Sequence, residues 1–420
     1  MTSRARRVLL AALAWATAAD ARDDALFGRG ARSGALAASD VADADPTVAA
    51  VAGPTRASSP GLRAQLGYRV AHTRMTLGGA PAGLLDHRGV DLDLQLARRV
   101  GPVDLGVAAS MHLPDGGAAW LAFRPRSEPV WLRWDAGSER ATFDGVAAVS
   151  HRASGVGLAL GASVSASSGG RGVDLSLPQD ERGPHADGAA DVELAYRAAP
   201  IVGASWERGP VALAARYRGA TSIPVALPTT ATVSFHDNPL NGVTTVRVDG
   251  VVAYDPAALT LASRARAGAW TLTTAVDYTR WSAAPPVAAS LAIDVRLGLE
   301  PYTPSGVASR PRLRDTVTPR LGLSLDRAWW SARVGAALEP SASPGAPTDV
   351  IDPTRTALSL GGGVALPRAA GVEAKLDAFA AWHHLWSQRL STSDATRPFS
   401  GAIARGDAWI AGASLRGALP

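Results

Sequence analysis

The chain has 420 residues, of which 47% are hydrophobic and 19% charged, and it contains 43 Gly, 29 Pro and no Cys. The lack of cysteine excludes a disulfide framework and a thiolate metal site. The formal charge of +5 is a modest excess without a basic cluster, which gives no reason to expect nucleic acid as a partner.

The first 21 residues have the pattern of a secretory signal peptide. Three arginines within the first seven residues precede an apolar stretch at 8–19, and Ala19 and Ala21 form a small-x-small cleavage site. The apolar stretch is shorter than the ~20 residues that a membrane anchor needs. No later apolar run approaches that length either, which leaves a soluble secreted protein or a β-barrel.

Alternation of polar and apolar residues dominates the rest of the chain. At 269–281, 314–326 and 371–384, aliphatic and aromatic residues alternate with Thr, Ser and charged residues. A period of two predicts strands of a sheet with one polar face. A soluble sandwich also alternates, but its strands average about 5–6 residues. The runs here are mostly longer, as the tilted strands of a membrane barrel must be.

The connections favour a transmembrane barrel over a sandwich. Short turns are predicted at 99–102, 152–154, 207–209, 267–268, 326–327 and 367–370. Long polar loops are predicted at 71–86, 113–138, 167–189, 219–254, 282–313, 340–354 and 385–403. Short turns on one rim and long loops on the other are typical of outer-membrane barrels. Residues 289–300 also alternate, and we interpret them as an outward extension of the ninth strand or a ribbon within a loop.

Fourteen antiparallel strands are therefore predicted, with both ends of the barrel on the periplasmic rim. We expect them near 62–70, 87–98, 103–112, 139–151, 155–166, 190–206, 210–218, 255–266, 269–281, 314–325, 328–339, 355–366, 371–384 and 404–417. Tryptophans near the predicted strand ends, such as Trp270, Trp281 and Trp409, predict an aromatic girdle.

Several segments resemble, in order, the FadL-type outer-membrane transporters of long-chain fatty acids and other hydrophobic compounds. The residues are "FGRGARSGALAASDVADADPTVAA" (27–50), 150–167, 260–282, "RDTVTPRLGLSLDRAWWSARVGAALEPSASP" (314–344) and 350–367. The resemblance implies an all-β barrel of about 14 strands whose N-terminal segment folds inside the lumen as a hatch. The expected organisation is a signal peptide at 1–21, a hatch at 22–61 and an outer-membrane barrel at 62–420.

The chain departs from the family pattern at two places. Where the family has an Asn-Pro-Ala triplet, this chain reads "VAGPTR" (51–56), in which only Pro54 corresponds. The closing aromatic residue that is common in such barrels is also missing. As hatch or gate residues we expect Asp43, Asp45, Pro46 and Pro54.

No enzyme constellation, cofactor motif or metal motif is found in the sequence, so we expect neither catalysis nor a cofactor. His383 and His384 are neighbours on opposite faces of a strand, and Gly361 to Gly363 favour a bend or close packing over a phosphate cradle. A fatty-acid carboxylate would need an inward cation, and the candidates for ligand binding are Arg320, Arg333 and Lys375. For each of them a salt bridge within the lumen is the competing interpretation.

The predicted function is uptake of hydrophobic small molecules, either long-chain fatty acids or aromatic hydrocarbons, by ligand-gated passive diffusion through a plugged barrel. The alternative is a general diffusion porin, or a structural barrel without cargo. The expected location is the bacterial outer membrane, with membrane lipid and lipopolysaccharide as neighbours and a monomer as the working unit.

Overall fold

The computed structural model describes most of the chain, and the following account concerns those residues alone. They are 30–40, 61–82, 87–114, 130–131, 141–180, 183–184, 187–234, 242–285, 290–296, 305–306, 313–343, 350–367, 372–390 and 401–419. Within them, no helix is both long and apolar enough to cross a membrane.

Fourteen of the described strands form one closed antiparallel ring. In chain order they are β1 Gly61–Leu77, β2 His87–Val100, β3 Val103–Pro114, β4 Ala141–His151, β5 Val156–Asp180, β6 Asp187–Arg208, β7 Val211–Arg218, β8 Ala258–Ala267, β9 Trp270–Thr279, β10 Thr316–Asp326, β11 Trp330–Glu339, β12 Arg355–Ala365, β13 Glu373–Arg389 and β14 Ile403–Leu419. Each strand pairs with the next one along the chain.

The ring closes because β1 also pairs with β14, with Leu62 opposite Leu419 and Leu77 opposite Ala404. The predicted count of fourteen strands is confirmed. Since neighbouring strands are antiparallel and the count is even, the start of β1 and the end of β14 lie at the same rim. The short turns between β2 and β3, β4 and β5, and so on lie there too, and we call this the short-turn rim. The opposite edge is the long-connection rim.

The wall of the barrel has an apolar outer face and a polar inner face. In β10, Thr316, Thr318 and Arg320 are buried, whereas Val317 and Leu321 on the other face are half exposed. Leu158, Leu160 and Leu360 are each about three-fifths exposed on the outside. Burial of Ser, Thr, Asp and Arg with exposure of Leu and Val is the inverse of a soluble protein, and it suits a wall whose surroundings are hydrocarbon.

The connections at the long-connection rim contain more strand than the sequence predicted. The segment 167–180, expected as a loop, continues β5 beyond the barrel as one arm. The arm paired with it is 187–195 of β6, of which 187–189 was expected as a loop and the rest as a strand. A hairpin of Thr221–Ser234 and Gly242–Asp255, also expected as a loop, pairs with the first of these arms. Strand Ser290–Arg296 then pairs with the hairpin, so 289–300 includes a ribbon within a loop rather than a fifteenth barrel strand.

The remaining described elements are short. Ala80–Ala82 turns back and pairs antiparallel with the end of β1, and Gly183–Pro184 pairs with the tip of β5. Ser305–Gly306 pairs with the ribbon, and Val130–Trp131 pairs with Val350–Ile351.

The predicted tryptophan girdle is only partly right. Trp270 and Trp329 are exposed near the short-turn rim, and Trp409 is exposed on the outer face nearer the other rim. Trp281 is not part of a girdle, because it is buried in a 3-10 turn at Trp281–Ala283, where its ring meets that of Tyr254 edge to face.

Candidate functional site

The described part of the N-terminal segment, residues 30–40, lies against the inner wall of the barrel. It begins with a short helix, α1, at Gly30–Ala35. The helix contacts β1, β11, β12, β13 and β14. Ala31, Ala35 and Leu36 are almost fully buried, and the first two pack in one cluster with Phe379 and Ile410. We call residues 30–40 the lumen segment.

Hydrogen bonds fix the lumen segment to the wall at several levels. The backbone N–H of Ala31 donates to Ser414 Oγ at 3.3 Å. Ser359 Oγ donates to the carbonyl of Ala35 at 3.0 Å. Further along, Ser39 Oγ and Thr273 Oγ1 are 2.7 Å apart. Because these wall residues belong to three different strands, the segment crosses the lumen from β14 toward β9.

The segment is also tied to itself. Ser33 Oγ donates to Asp40 Oδ1 at 2.8 Å, and the N–H of Ala38 donates to the carbonyl of Ser33 at 2.9 Å. Ala37 and Ala38 both have positive φ, 50° and 57°. For residues other than glycine this left-handed conformation costs on the order of 1–2 kcal/mol each, so the tight fold after α1 is held by its surroundings.

Two glycines of the wall let the segment approach closely. A Cβ built on Gly335 would lie 2.5 Å from the Leu36 carbonyl carbon and 2.6 Å from the Ala37 nitrogen. A Cβ on Gly361 would lie 2.6 Å from the Ala35 Cβ. Non-bonded carbon atoms need about 3.5–4.0 Å. The glycine run at 361–363 therefore serves close packing, as the sequence suggested.

A belt of paired charges lies on the long-connection side of the lumen segment. Arg320 Nε donates to Asp277 at 2.7 Å, and its Nη2 donates to Glu339 at 3.1 Å. Glu339 also accepts a hydrogen bond from Arg355 Nε at 2.5 Å, and Arg355 Nη1 lies 3.0 Å from His383 Nδ1. We call Asp277, Arg320, Glu339, Arg355 and His383 the charge belt, and it spans the five consecutive strands β9 to β13.

The charge belt is coupled to the lumen segment through Arg320. Its Nη1 donates to the backbone carbonyl of Ala37 at 3.1 Å. The same guanidinium therefore holds two carboxylates of the wall and one carbonyl of the segment. Removing one partner of a buried ion pair is costly, because the other charge is left unpaired. A substitution in the charge belt is therefore expected to disturb the contact between Arg320 and the lumen segment.

A second charged cluster lies on the short-turn side of the segment. Arg333 Nη1 donates to Asp377 at 2.8 Å, and Arg416 Nη2 donates to the same carboxylate at 2.7 Å. Gly335 and Phe379 touch the lumen segment. Arg333 precedes Gly335 by two residues on β11, and Asp377 precedes Phe379 by two residues on β13, so both charges lie nearer the short-turn rim. The lumen segment thus sits between two charged layers.

The predicted ligand-binding residues are distributed over these two layers. Arg320 belongs to the charge belt, whereas Arg333 belongs to the second cluster. Lys375 lies opposite Arg416 in the strand pairing, beside that second cluster, and it is only partly buried. All three are in the lumen, but the wall does not bring them to one point. Arg320 and Arg333 are engaged in salt bridges, and a ligand role for any of the three stays a prediction.

The predicted gate residues Asp43, Asp45, Pro46 and Pro54 lie outside the described residues, as does the rest of the expected hatch at 22–29 and 41–60. His383 and His384 do face opposite sides: His383 is buried beside Arg355, and His384 is on the outer face beside Asp407. Within the described residues, no group of His, Asp and Glu is arranged to hold a metal ion.

The residues that sequence reasoning missed are Asp277, Glu339 and Arg355 of the charge belt. The polar face of the alternation carries each of them, but the sequence offers many such charges. Their importance depends on strand register, which brings residues from five strands to one height.

Comparison with solved structures shows what this architecture is similar to. A FadL homologue from Pseudomonas aeruginosa matches over 96% of this chain and 99% of its own, with 14% identity and a TM-score of 0.52. The Ralstonia pickettii toluene transporter TbuX matches over 94% and 99%, with 14% identity and a TM-score of 0.51. The P. putida toluene transporter TodX matches over 94% and 99%, with 12% identity and a TM-score of 0.50.

At these identities the likeness is one of fold. No protein-family model matches the sequence, and no curated protein matches it. The chain shares its fold with these three structures over nearly its whole length.

Proposed function

We propose that this chain is a bacterial outer-membrane barrel that admits hydrophobic small molecules by passive diffusion past a plug. The observation that carries the proposal is the lumen segment, packed between two charged layers inside a barrel with an apolar outer face. A barrel of this size is wide enough to leak. An internal segment with close contacts to the wall closes it to solutes until the segment shifts.

The likeness of fold supports the choice of cargo. The compared structures include two toluene transporters. A general diffusion porin constricts its lumen with a charged loop and keeps a water-filled channel, and the lumen segment fits that role poorly. Hydrophobic molecules cross a polar leaflet slowly, and a barrel that spans the leaflet gives them a path.

Within this class, we favour an uncharged cargo over a fatty-acid anion. In the charge belt, the two guanidinium groups of Arg320 and Arg355 face the two carboxylates of Asp277 and Glu339. A carboxylate from a ligand would have to compete with both for the same donors. An aromatic hydrocarbon needs no such partner and does not compete with Asp277 and Glu339 for these donors.

The test is uptake by cells with and without the protein. We expect labelled toluene to enter faster with the protein present, labelled oleate to gain less, and a hydrophilic sugar to be unaffected. If only the sugar gained, the barrel would be a general porin. If oleate gained more than toluene, the membrane role would stand but the preference for an uncharged cargo would be wrong.

A further inference from the structure

The outer face of the barrel carries a cluster of basic residues near the long-connection rim, on β1, β2, β13 and β14. On β1 the outward positions from Leu62 to Val70 are apolar, and His72 and Arg74 then follow. Arg88 on β2 is opposite Val70 in the strand pairing. The neighbouring strands β14 and β13 contribute Arg405 and Arg389.

Strand register shows that these side chains share one face. Arg405 is opposite Thr76 of β1. Thr76 lies two residues from the exposed Arg74 and therefore on the same face of the strand. Arg389 is opposite Ile403, which is 41% exposed on the outside. Directly opposed residues of paired strands point to the same side of a sheet. We call Arg74, Arg88, Arg389 and Arg405 the outer arginine patch.

The patch has a clear excess of positive charge. The one carboxylate among its described outward neighbours is Asp407, which lies opposite Arg74. Trp382 Nε1 donates to Asp407 at 3.0 Å, and His384 Nδ1 lies 2.9 Å from it. The patch thus carries four guanidinium groups against a single carboxylate, whose Oδ1 is already engaged by an indole and an imidazole.

The height of the patch places it where hydrocarbon would end. From Leu62 to Val70 the apolar run spans about 26 Å along the strand at ~3.3 Å per residue. With a strand tilt near 40°, this corresponds to roughly 20 Å across a bilayer, close to the ~25 Å apolar band of such barrels. Trp409 lies opposite His72, the outward position that follows Val70, and its ring centroid is 6.2 Å from that of Trp382. Indole rings collect at the headgroup level of a membrane.

We infer that the outer arginine patch binds the phosphate groups of a phosphorylated glycolipid in the leaflet on the long-connection side. Guanidinium groups bind phosphate oxygens with paired hydrogen bonds, and Trp382 and Trp409 give the acyl chains beneath an apolar contact. The inference rests on the membrane location in the proposed function. It is independent of the cargo, because the patch faces away from the lumen.

The experiment measures binding of fluorescent lipopolysaccharide to the purified full-length protein in detergent. The variant is Arg74→Gln with Arg405→Gln. The matched control is Arg98→Gln with Arg327→Gln, which removes two exposed arginines near the short-turn rim. Basic residues near an anionic membrane surface contribute about fivefold in affinity each. We expect the patch variant to bind about 25-fold more weakly and the control variant to bind like the unaltered protein.

Two further probes identify the ligand chemistry. Enzymatically dephosphorylated lipopolysaccharide should bind the unaltered protein about as weakly as the patch variant binds the intact lipid. Inorganic phosphate at millimolar concentration should not compete. The inference is overturned if the control variant loses as much affinity as the patch variant, if dephosphorylation has no effect, or if free phosphate displaces the lipid. Uptake of toluene, measured separately in the same patch variant, should be retained, so that failure of the lipid site is distinguishable from failure of the transport proposal.

Discussion

Replacing Gly335 by alanine tests whether the lumen segment is fitted to the wall. The new Cβ would lie 2.5 Å from the Leu36 carbonyl carbon and 2.6 Å from the Ala37 nitrogen. Both are backbone atoms of the segment, which cannot swing aside as a side chain does. The φ of Gly335 is not positive, so alanine is compatible with the strand itself. The strain therefore falls on the packing between the segment and the wall.

The size of the effect follows from the cost of overpacking. Inserting a methyl group into a well-packed site costs about 1–3 kcal/mol. If the segment relieves this strain by leaving the wall, the ratio of open to closed barrels rises by about 5-fold to about 140-fold. The barrel has other strand pairings to hold it, so its thermal unfolding should change little.

The assay is single-channel conductance in planar bilayers. We expect Gly335→Ala to show openings far more often than the unaltered protein. The control is Gly417→Ala, whose Cβ would meet nothing closer than Val372 Cγ1 at 3.7 Å. If both variants conduct alike while remaining folded, the segment does not close the lumen by this contact and the reasoning is refuted.

Three other predictions concern the same segment and belt. Deleting 22–60 should leave a barrel with a large steady conductance, and equal conductance of intact and truncated proteins would contradict a plug. Arg320→Met should lower the free energy of unfolding in detergent by about 3–5 kcal/mol, because the partly buried Asp277 loses its cationic partner and the buried Glu339 keeps only Arg355, whereas the exposed Arg98→Met should have almost no effect; an unchanged denaturation midpoint for Arg320→Met would argue against the belt. Ser359→Ala removes the 3.0 Å hydrogen bond to the carbonyl of Ala35, which is worth about 0.5–1.5 kcal/mol. The ratio of open to closed barrels should therefore rise by about 2- to 12-fold; an unchanged ratio would mean that this bond does not hold the lumen segment closed.

Much of the barrel could be predicted because the physical signal is local. A strand between hydrocarbon and a polar lumen must alternate, and β10 does so at every position from Thr316 to Ser324. The short turns are equally local, since a hairpin needs only a few residues between two such runs. Each of the fourteen predicted strands overlaps a strand of the ring for these reasons.

The strands outside the barrel were harder to predict because their pairing is not local. The arm at 167–180 alternates only over the five residues 173–177, and its sequence is otherwise rich in Gly and Ser. It is paired with the arm at 187–195 and with the hairpin strand Thr221–Ser234. The end of β1 at Leu77 was missed for a similar reason, since β14 continues alongside it to Ile403.

The lumen layers could be predicted only in part. That Arg320 and Arg333 face inward followed from alternation. That Arg320 binds the Ala37 carbonyl while Arg333 lies in a different layer depends on strand register and on the path of the lumen segment. Neither is encoded in a single stretch of sequence.

The central claim is that the lumen segment must move for hydrophobic molecules to pass. The chain has no cysteine of its own, and Ser39 Oγ and Thr273 Oγ1 are 2.7 Å apart, a spacing suited to a disulfide between cysteines at these positions. The measurement is toluene uptake by cells that carry Ser39→Cys with Thr273→Cys, oxidised and then reduced, beside each single variant. We predict that the oxidised double variant takes up toluene no faster than cells without the protein and that reduction restores uptake. Uptake at the full rate with the disulfide formed would contradict the account.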